Sequence, residues 1–231
     1  MTHLFAARNV GCAMPSRENG NERRTLFTGC FSIDAGEVVD LTGPSGEGKS
    51  SLLTAFALLN PYAHGTFAVE GRDSSEYTPQ QWRSLVAYVP QQPILTGSSV
   101  AEALRMPFSL AVRREVKAPD DAKLRSMLDS MGCSDIELSR PPHDLSGGQA
   151  ARVCLARTLL TEPKLLLADE VDAGLDDANA ELVAALMARA AHDGGMAIVR
   201  IRHRPADGLA TRIMRLEHSR LAQIGVTEET R

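Results

Sequence analysis

The 231-residue sequence predicts an α/β fold: a mainly parallel sheet with an antiparallel β edge and a small inserted helical subdomain. Three observations predict it. Short apolar runs alternate with helix-periodic segments near both ends of the chain. The run Leu165–Asp169 (LLLAD) is apolar up to its last residue, as a strand buried on both faces requires. Residues 98–140, between the two alternating regions, carry helical periodicity and proline breaks but no strand pattern.

In chain order, Leu4–Val10 reads as a strand and the polar, Asn-Gly-containing stretch 14–24 as a loop. Thr25–Ile33 and Glu37–Thr42 are strands separated by an Ala35-Gly36 turn. A Gly-rich loop leads into a helix over Ser50–Leu59, which Asn60-Pro61 stops. Gly65–Gly71 suggests a hairpin strand, and Leu85–Val89 a short strand ending at Pro90. Helical periodicity follows at 99–106 and 121–131, broken by Pro107, Pro119 and Pro141-Pro142. The alternation then resumes with a helix over Gln149–Leu160, the strand Leu165–Asp169, a helix over Ala178–Ala191, and strands at Ala197–Ile201 and Ile213–Leu216. One domain is expected, with a core of residues 1–91 and 145–231 and a helical lobe of residues 92–144.

Bulk properties narrow the function classes. A net charge of −4 argues against a dedicated nucleic-acid binder. The four cysteines have no CxxC spacing, so neither a zinc site nor a disulfide frame is indicated, and a reducing compartment is the simpler expectation. No apolar run is long enough to cross a bilayer. The N-terminal MTHLFAARNVG lacks the apolar core of a signal peptide. Action at a membrane would therefore require a partner.

Chemistry enters at the loop after the third strand. Gly43-Pro44-Ser45-Gly46-Glu47-Gly48-Lys49-Ser50, with Ser51 beside it, matches G-x-x-x-x-G-K-[ST] between a strand and a helix. Glycines let backbone N–H groups turn inward around phosphate oxygens, and the following helix points its positive end at the same anion. Lys49 is expected to reach the β- and γ-phosphates, and the Ser50 hydroxyl to ligate Mg²⁺. The fold class is thus that of a P-loop NTPase (RecA-like). Asp40, inside a strand that should be buried, is expected to face a gap or pair with an arginine.

The strand Leu165–Asp169 ends in two carboxylates. Asp169 would lie beside the Mg²⁺ and orient a metal-bound water. Glu170, one residue on, projects differently and is suited to act as general base on the attacking water. Farther back, Ser146-Gly147-Gly148-Gln149 has the S-x-x-Q spacing of a capping box, with Ser146 as N-cap and Gln149 at N3. The Gly pair leaves the helix tip bare enough for a second anion. One chain then has two phosphate-binding surfaces and needs one. Two chains arranged head to tail, each completing the other's site, resolve the surplus.

With these motifs in order, the sequence resembles the ATP-binding cassette (ABC) ATPase subunits of transporters, from about residue 4 to 225. The resemblance rests on GPSGEGKS (43–50), VPQQP (89–93), LSGGQ (145–149), LLLADE (165–170), AGLD (173–176) and His203 in IRHRP. It implies ATP and Mg²⁺ as cofactors. It implies that Gln91 links Mg²⁺ and the attacking water to the helical lobe, and that Ser146 and Gly148 contact the γ-phosphate held by the opposite subunit. Asp176 would lie in the loop communicating between the two sites. His203 would contact the γ-phosphate and help hold Glu170 and the water. The partners implied are a second copy upon ATP binding and a separate transmembrane permease subunit, with the chain cytoplasmic and peripheral on the inner face of the membrane. TGSSVAEA followed by LRMPFSLAVRRE (104–115) resembles the FetA-like ATPases, linked to metal (iron) export. A soluble ABC-type ATPase, as in iron–sulfur assembly, is the alternative.

Three departures from the family pattern stand out. Residues 11–24 contain no aromatic to stack on adenine, so either Arg17 stacks on the base as a planar cation or the base is held loosely. The loop after Glu170 reads VDAGLD, where Ala173 and Gly174 should fit a tight turn more often spelled with serine and alanine. Arg200, Arg202 and Arg204 alternate around His203, which on a continuing strand puts them on one face as a solvated basic stripe, or against nucleotide or an acidic partner.

Overall fold

A computed structural model of the chain describes residues 3–15 and 23–226. The described residues form a ten-stranded sheet whose helices cover both faces. The strands are β1 (Phe5–Pro15), β2 (Arg23–Ile33), β3 (Val38–Thr42), β4 (Ala63–Val69), β5 (Arg72–Asp73), β6 (Val86–Val89), β7 (Leu165–Asp169), β8 (Ala197–Ile201), β9 (Arg212–Glu217) and β10 (Arg220–Val226). Their order in space is β5-β4-β1-β2-β10-β9-β3-β8-β7-β6.

Strands β9, β3, β8, β7 and β6 run parallel. Strands β1, β2, β4 and β5 pair antiparallel at the other side, as do β9 and β10. This is the expected parallel core with its antiparallel edge. The parallel half aligns the C-terminal ends of β3, β7 and β8 along one rim, where open α/β sheets bind ligands.

β7 shows why the fold holds at that rim. All five of its residues are buried. Leu165 and Leu167 pack with Val39, Leu41, Phe56 and Trp82 on one face. Leu166 and Ala168 pack on the other face, in a cluster that includes Val38, Ile198 and Leu155. The alternation of a strand therefore feeds two cores from adjacent positions.

The first core is closed by α1 (Lys49–Phe56) and by Trp82 of α2 (Pro79–Leu85), whose indole N–H donates to the Phe56 carbonyl at 3.0 Å. The second is closed by α3 (Val100–Arg105), α4 (Asp121–Ser130), α5 (Gly147–Leu159) and α6 (Asp177–Gly194). Between 92 and 144 the chain forms α3, α4 and short 3₁₀ turns, and no strand. Among the described residues no helix is long and apolar enough to cross a membrane.

Several boundaries differ from expectation. β1 runs five residues past Val10 to Pro15, pairing with β2 and β4 across register shifts. α2 follows Thr78, whose side chain accepts from the Gln81 N–H in a complete capping box, with Pro79 at the first helical position. β10 joins β9 through His218 and Ser219, which have φ of 48° and 62°. That two-residue turn is of the kind that hairpins favour but is not spelled with glycine.

Candidate active site

The phosphate-loop segment leaves β3 through Gly43, at φ 137°. A Cβ there would sit 2.0 Å from the Leu216 carbonyl oxygen of β9, so only glycine lets the two strands approach this closely. α1 begins after Gly48, which is left-handed (φ 97°) and supplies no side-chain cap. The first N–H groups of α1 therefore have no side-chain acceptor and point into the loop. Lys49 is buried, and its ammonium donates to the carbonyls of Gly43 (2.8 Å) and Pro44 (2.9 Å).

β7 delivers Asp169 to the same place. Its Oδ1 accepts from the Ser50 hydroxyl at 3.1 Å, and its Oδ2 accepts from the Tyr88 hydroxyl at 2.8 Å. Burial pushes the Tyr88 phenol well above its ordinary pKa. The hydrogen bond to Asp169 and the Asp169 charge push in the same direction. Tyr88 is a permanent donor here, and it fixes the Asp169 carboxylate. A hydroxyl and a carboxylate side by side at a phosphate loop are the hard oxygen donors that Mg²⁺ takes, and they fit it.

Glu170 stands one residue beyond and is held differently. Its Oε2 accepts from Gln91 Nε2 at 2.8 Å, and its Oε1 lies 2.7 Å from His203 Nε2. Its backbone is left-handed at φ 51°, which costs a non-glycine residue about 1 kcal/mol. The Glu170 N–H donates to the Ile201 carbonyl at 3.2 Å, and that bond helps keep the turn in place. Three distant segments, at 91, 170 and 203, thus converge on one carboxylate beside the loop 43–51.

The other expected residues take their places in adjacent elements. Ser146 caps α5: its hydroxyl accepts from the Gln149 N–H at 3.2 Å, and the Gln149 amide accepts from the Ser146 N–H at 3.0 Å. Gln149 also donates to Asp135 at 2.8 Å. A Cβ on Gly147 would meet nothing within 4 Å, so the tip of α5 is open on that side. Asp176 caps α6 through the Asn179 N–H at 2.8 Å. Asn179 also accepts from Arg152 of α5, which donates to the Met131 and Gly132 carbonyls as well. The two helix starts are therefore joined through Arg152.

The basic stripe is a correction. β8 ends at Ile201, so the alternation stops before Arg202. Arg200 is 1% exposed and donates to Asp40 (2.5 Å) and Asp207 (2.7 Å). Arg202 donates to Asp172 (2.9 Å) and Asp207, and Arg204 to Asp177 (2.6 Å) and the Leu175 carbonyl. The acids these cations meet belong to the same chain. Asp40 takes the arginine-paired alternative. Tyr88, Asp172 and Asp207 were not foreseen as site residues, because their partners lie far away in sequence. Arg17 lies outside the described residues.

Comparison with known proteins identifies the family. Residues 29–173 match the ABC transporter family model. The chain is 36% identical over 173 residues to the probable iron export ATP-binding protein FetA of Escherichia coli, covering 75% of each. It is 38% identical over 178 residues to the lipoprotein-releasing system ATP-binding protein LolD 2 of Caulobacter vibrioides, covering 75% of this chain and 77% of that one. Among solved structures, the dimeric post-hydrolysis state of an ATP-binding cassette bound to ADP and Pi superposes with a TM-score of 0.77 at 23% identity, covering 96% and 99% of the two chains. The chain belongs to the ABC transporter family and carries that family's ATPase domain.

Proposed function

We propose that this chain is the ATP-hydrolysing subunit of a transporter, working as a pair of copies beneath a separate membrane subunit. The convergence of Gln91, Glu170 and His203 beside Ser50 and Asp169 is the observation that carries the reading. In it, backbone N–H groups of residues 43–50 and the Lys49 ammonium hold the triphosphate, with Ser51 next to them. Ser50, Asp169 and Gln91 would hold Mg²⁺, which supplies charge neutralisation at the phosphates. Glu170 takes a proton from the attacking water. Gln91 and His203 aim its carboxylate and leave lone pairs free to accept. The open tip of α5, at Ser146, Gly147 and Gly148, meets the triphosphate held by the second copy, with Gln149 bracing the tip and Asp176 lying at the contact between copies.

The core of residues 1–91 and 145–231 performs hydrolysis in this scheme, and the lobe of residues 92–144 passes motion to the partner. A groove of about 410 Å³ between them is lined by Leu59, Tyr88, Pro107, Leu110 and Val112, with Arg113 across it. Leu59, Leu110 and Val112 are large apolar side chains left exposed, as suits a helix of a membrane subunit. The chain would then sit at the inner face of the cell membrane. Export of a metal, with iron as the first candidate, follows the likeness to FetA. The expected test result is Mg-ATP turnover by the full chain that falls at least about a hundredfold in Glu170→Gln with nucleotide binding retained. Equal rates remove Glu170 as the base. Pull-down from membranes that recovers no integral membrane protein would remove the transporter reading, and unchanged cellular iron on deletion would remove the cargo.

A further inference from the structure

Arg202, His203 and Arg204 follow directly on β8, and each takes hold of the segment after β7. Arg202 Nε donates to Asp172 Oδ2 at 2.9 Å. His203 meets Glu170 at 2.7 Å. Arg204 reaches the Leu175 carbonyl and Asp177 Oδ1. Three consecutive side chains thus grip the stretch 170–177 along its whole length.

Behind this grip lies an anchor. Arg202 also bonds Asp207, Asp207 accepts from Arg200 at 2.7 Å, and Arg200 Nε donates to Asp40 in β3 at 2.5 Å. A line of alternating charges therefore runs from the middle of the sheet to the turn that bears Glu170. Asp40, Arg200 and Asp172 are each less than a tenth exposed. A buried charge stripped of its partner is costly, so each member holds its neighbours in place. The geometry also requires a guanidinium. Arg202 uses Nε for one carboxylate and Nη1 for the other, a fork that a lysine ammonium cannot reproduce.

We propose that Arg202 and Arg204 are positioning residues that clamp the His203 loop onto the turn after β7, so that Glu170 and His203 meet in one fixed geometry. The proposal rests on the reading of Glu170 as the base. Neither arginine needs to touch nucleotide. Both act through the placement of two groups that would stand at the scissile phosphate, where a shift of about 1 Å costs on the order of a hundredfold in rate.

The test is steady-state Mg-ATP hydrolysis by the full chain carrying Arg202→Lys, Arg204→Met or Arg204→Lys, with melting temperatures measured alongside. Arg202→Lys and Arg204→Met are expected to lower kcat about tenfold while KM stays within about twofold of wild type, because the loop 43–50 and Lys49, which hold the triphosphate, are untouched. Arg204→Lys is expected to regain most of the loss, since an ammonium still reaches the Leu175 carbonyl. If Arg202→Lys does not fold, the position 204 pair decides. Arg204 is partly exposed and its partner Asp177 almost fully so, and their replacement leaves the cores intact. Wild-type kcat in folded Arg204→Met, or a fall in kcat/KM carried by KM alone, overturns the clamp. Glu170→Gln separates the two levels. An inactive Glu170→Gln beside normal arginine variants sinks the clamp alone, whereas an active Glu170→Gln sinks the base assignment beneath it.

Discussion

Gly147→Val isolates the claim that one chain carries half of a reaction chamber. Gly147 is the first residue of α5, and a Cβ there has nothing within 4 Å in its own chain. Within a single copy the change is harmless: valine replaces glycine in a helix, a gain of a few tenths of a kcal/mol at most, or about 1 °C in Tm for a chain of this size. Gly148 is a poorer probe, because its Cβ would lie 3.1 Å from the Leu175 side chain. In the paired state the branched side chain stands between the helix tip and the partner's triphosphate. Loss of one hydrogen bond to a charged group is worth about 1.5–3 kcal/mol, or roughly a ten- to hundredfold drop in turnover. The assay is phosphate release at saturating Mg-ATP, with pairing followed by size-exclusion chromatography in a Glu170→Gln background. Normal turnover and pairing by a folded Gly147→Val protein would refute the head-to-tail arrangement. A large fall in Tm would show that the glycine serves its own chain instead.

Three further outcomes follow from the geometry. Tyr88→Phe removes the 2.8 Å bond to Asp169 and should cost about 1 kcal/mol of stability by denaturant titration, with a higher Mg²⁺ requirement for turnover; an unchanged Mg²⁺ profile would remove Tyr88 from the site. Gly43→Ala should lose roughly 3 kcal/mol against the Leu216 carbonyl, while Gly46→Ala, left-handed but in open space, should lose only about 1 kcal/mol; equal losses would show that backbone strain alone is being read. Acid stability should depend on Asp207. Burial pushes its carboxyl up, but the Arg200 hydrogen bond, the Leu209 N–H and the charges of Arg200 and Arg202 outweigh this and hold it below the ordinary aspartate value. Because the folded pKa is the lower one, the stabilisation is whole above the unfolded value of about 3.9 and is lost as pH falls through the depressed one. Asp207→Asn should therefore be less stable than wild type at neutral pH, with the gap closing in acid. A gap that stays constant would exclude the carboxylate as its source.

What the sequence made legible divides along local and distant lines. The apolar run 165–169, the glycines of 43–48 and the Ser146-to-Gln149 box are local signals, and each maps onto the element it implies. The α2 signal was equally local, with Thr78, Pro79 and Gln81 in capping order, but a seven-residue helix with a single buried residue, Trp82, gives no periodicity to read. β10 was hidden by its turn, since His218-Ser219 lacks the Asn-Gly spelling of a tight hairpin. The basic stripe went wrong because period-two alternation was carried past the end of β8. The acids that claim Arg200 and Arg202 sit at positions 40, 172 and 207, and no sequence window joins those numbers. Tyr88 and Asp169 meet across 81 positions for the same reason.

The doubly covered β7 has a consequence for how such a protein can diversify. Its neighbouring residues feed opposite interiors, so neither half of the molecule can loosen at the catalytic rim without dragging the other. Residues 106–119, by contrast, include none that is buried. Inheritance can rewrite that outer stretch without disturbing either interior, and the engine beneath it keeps its tuning.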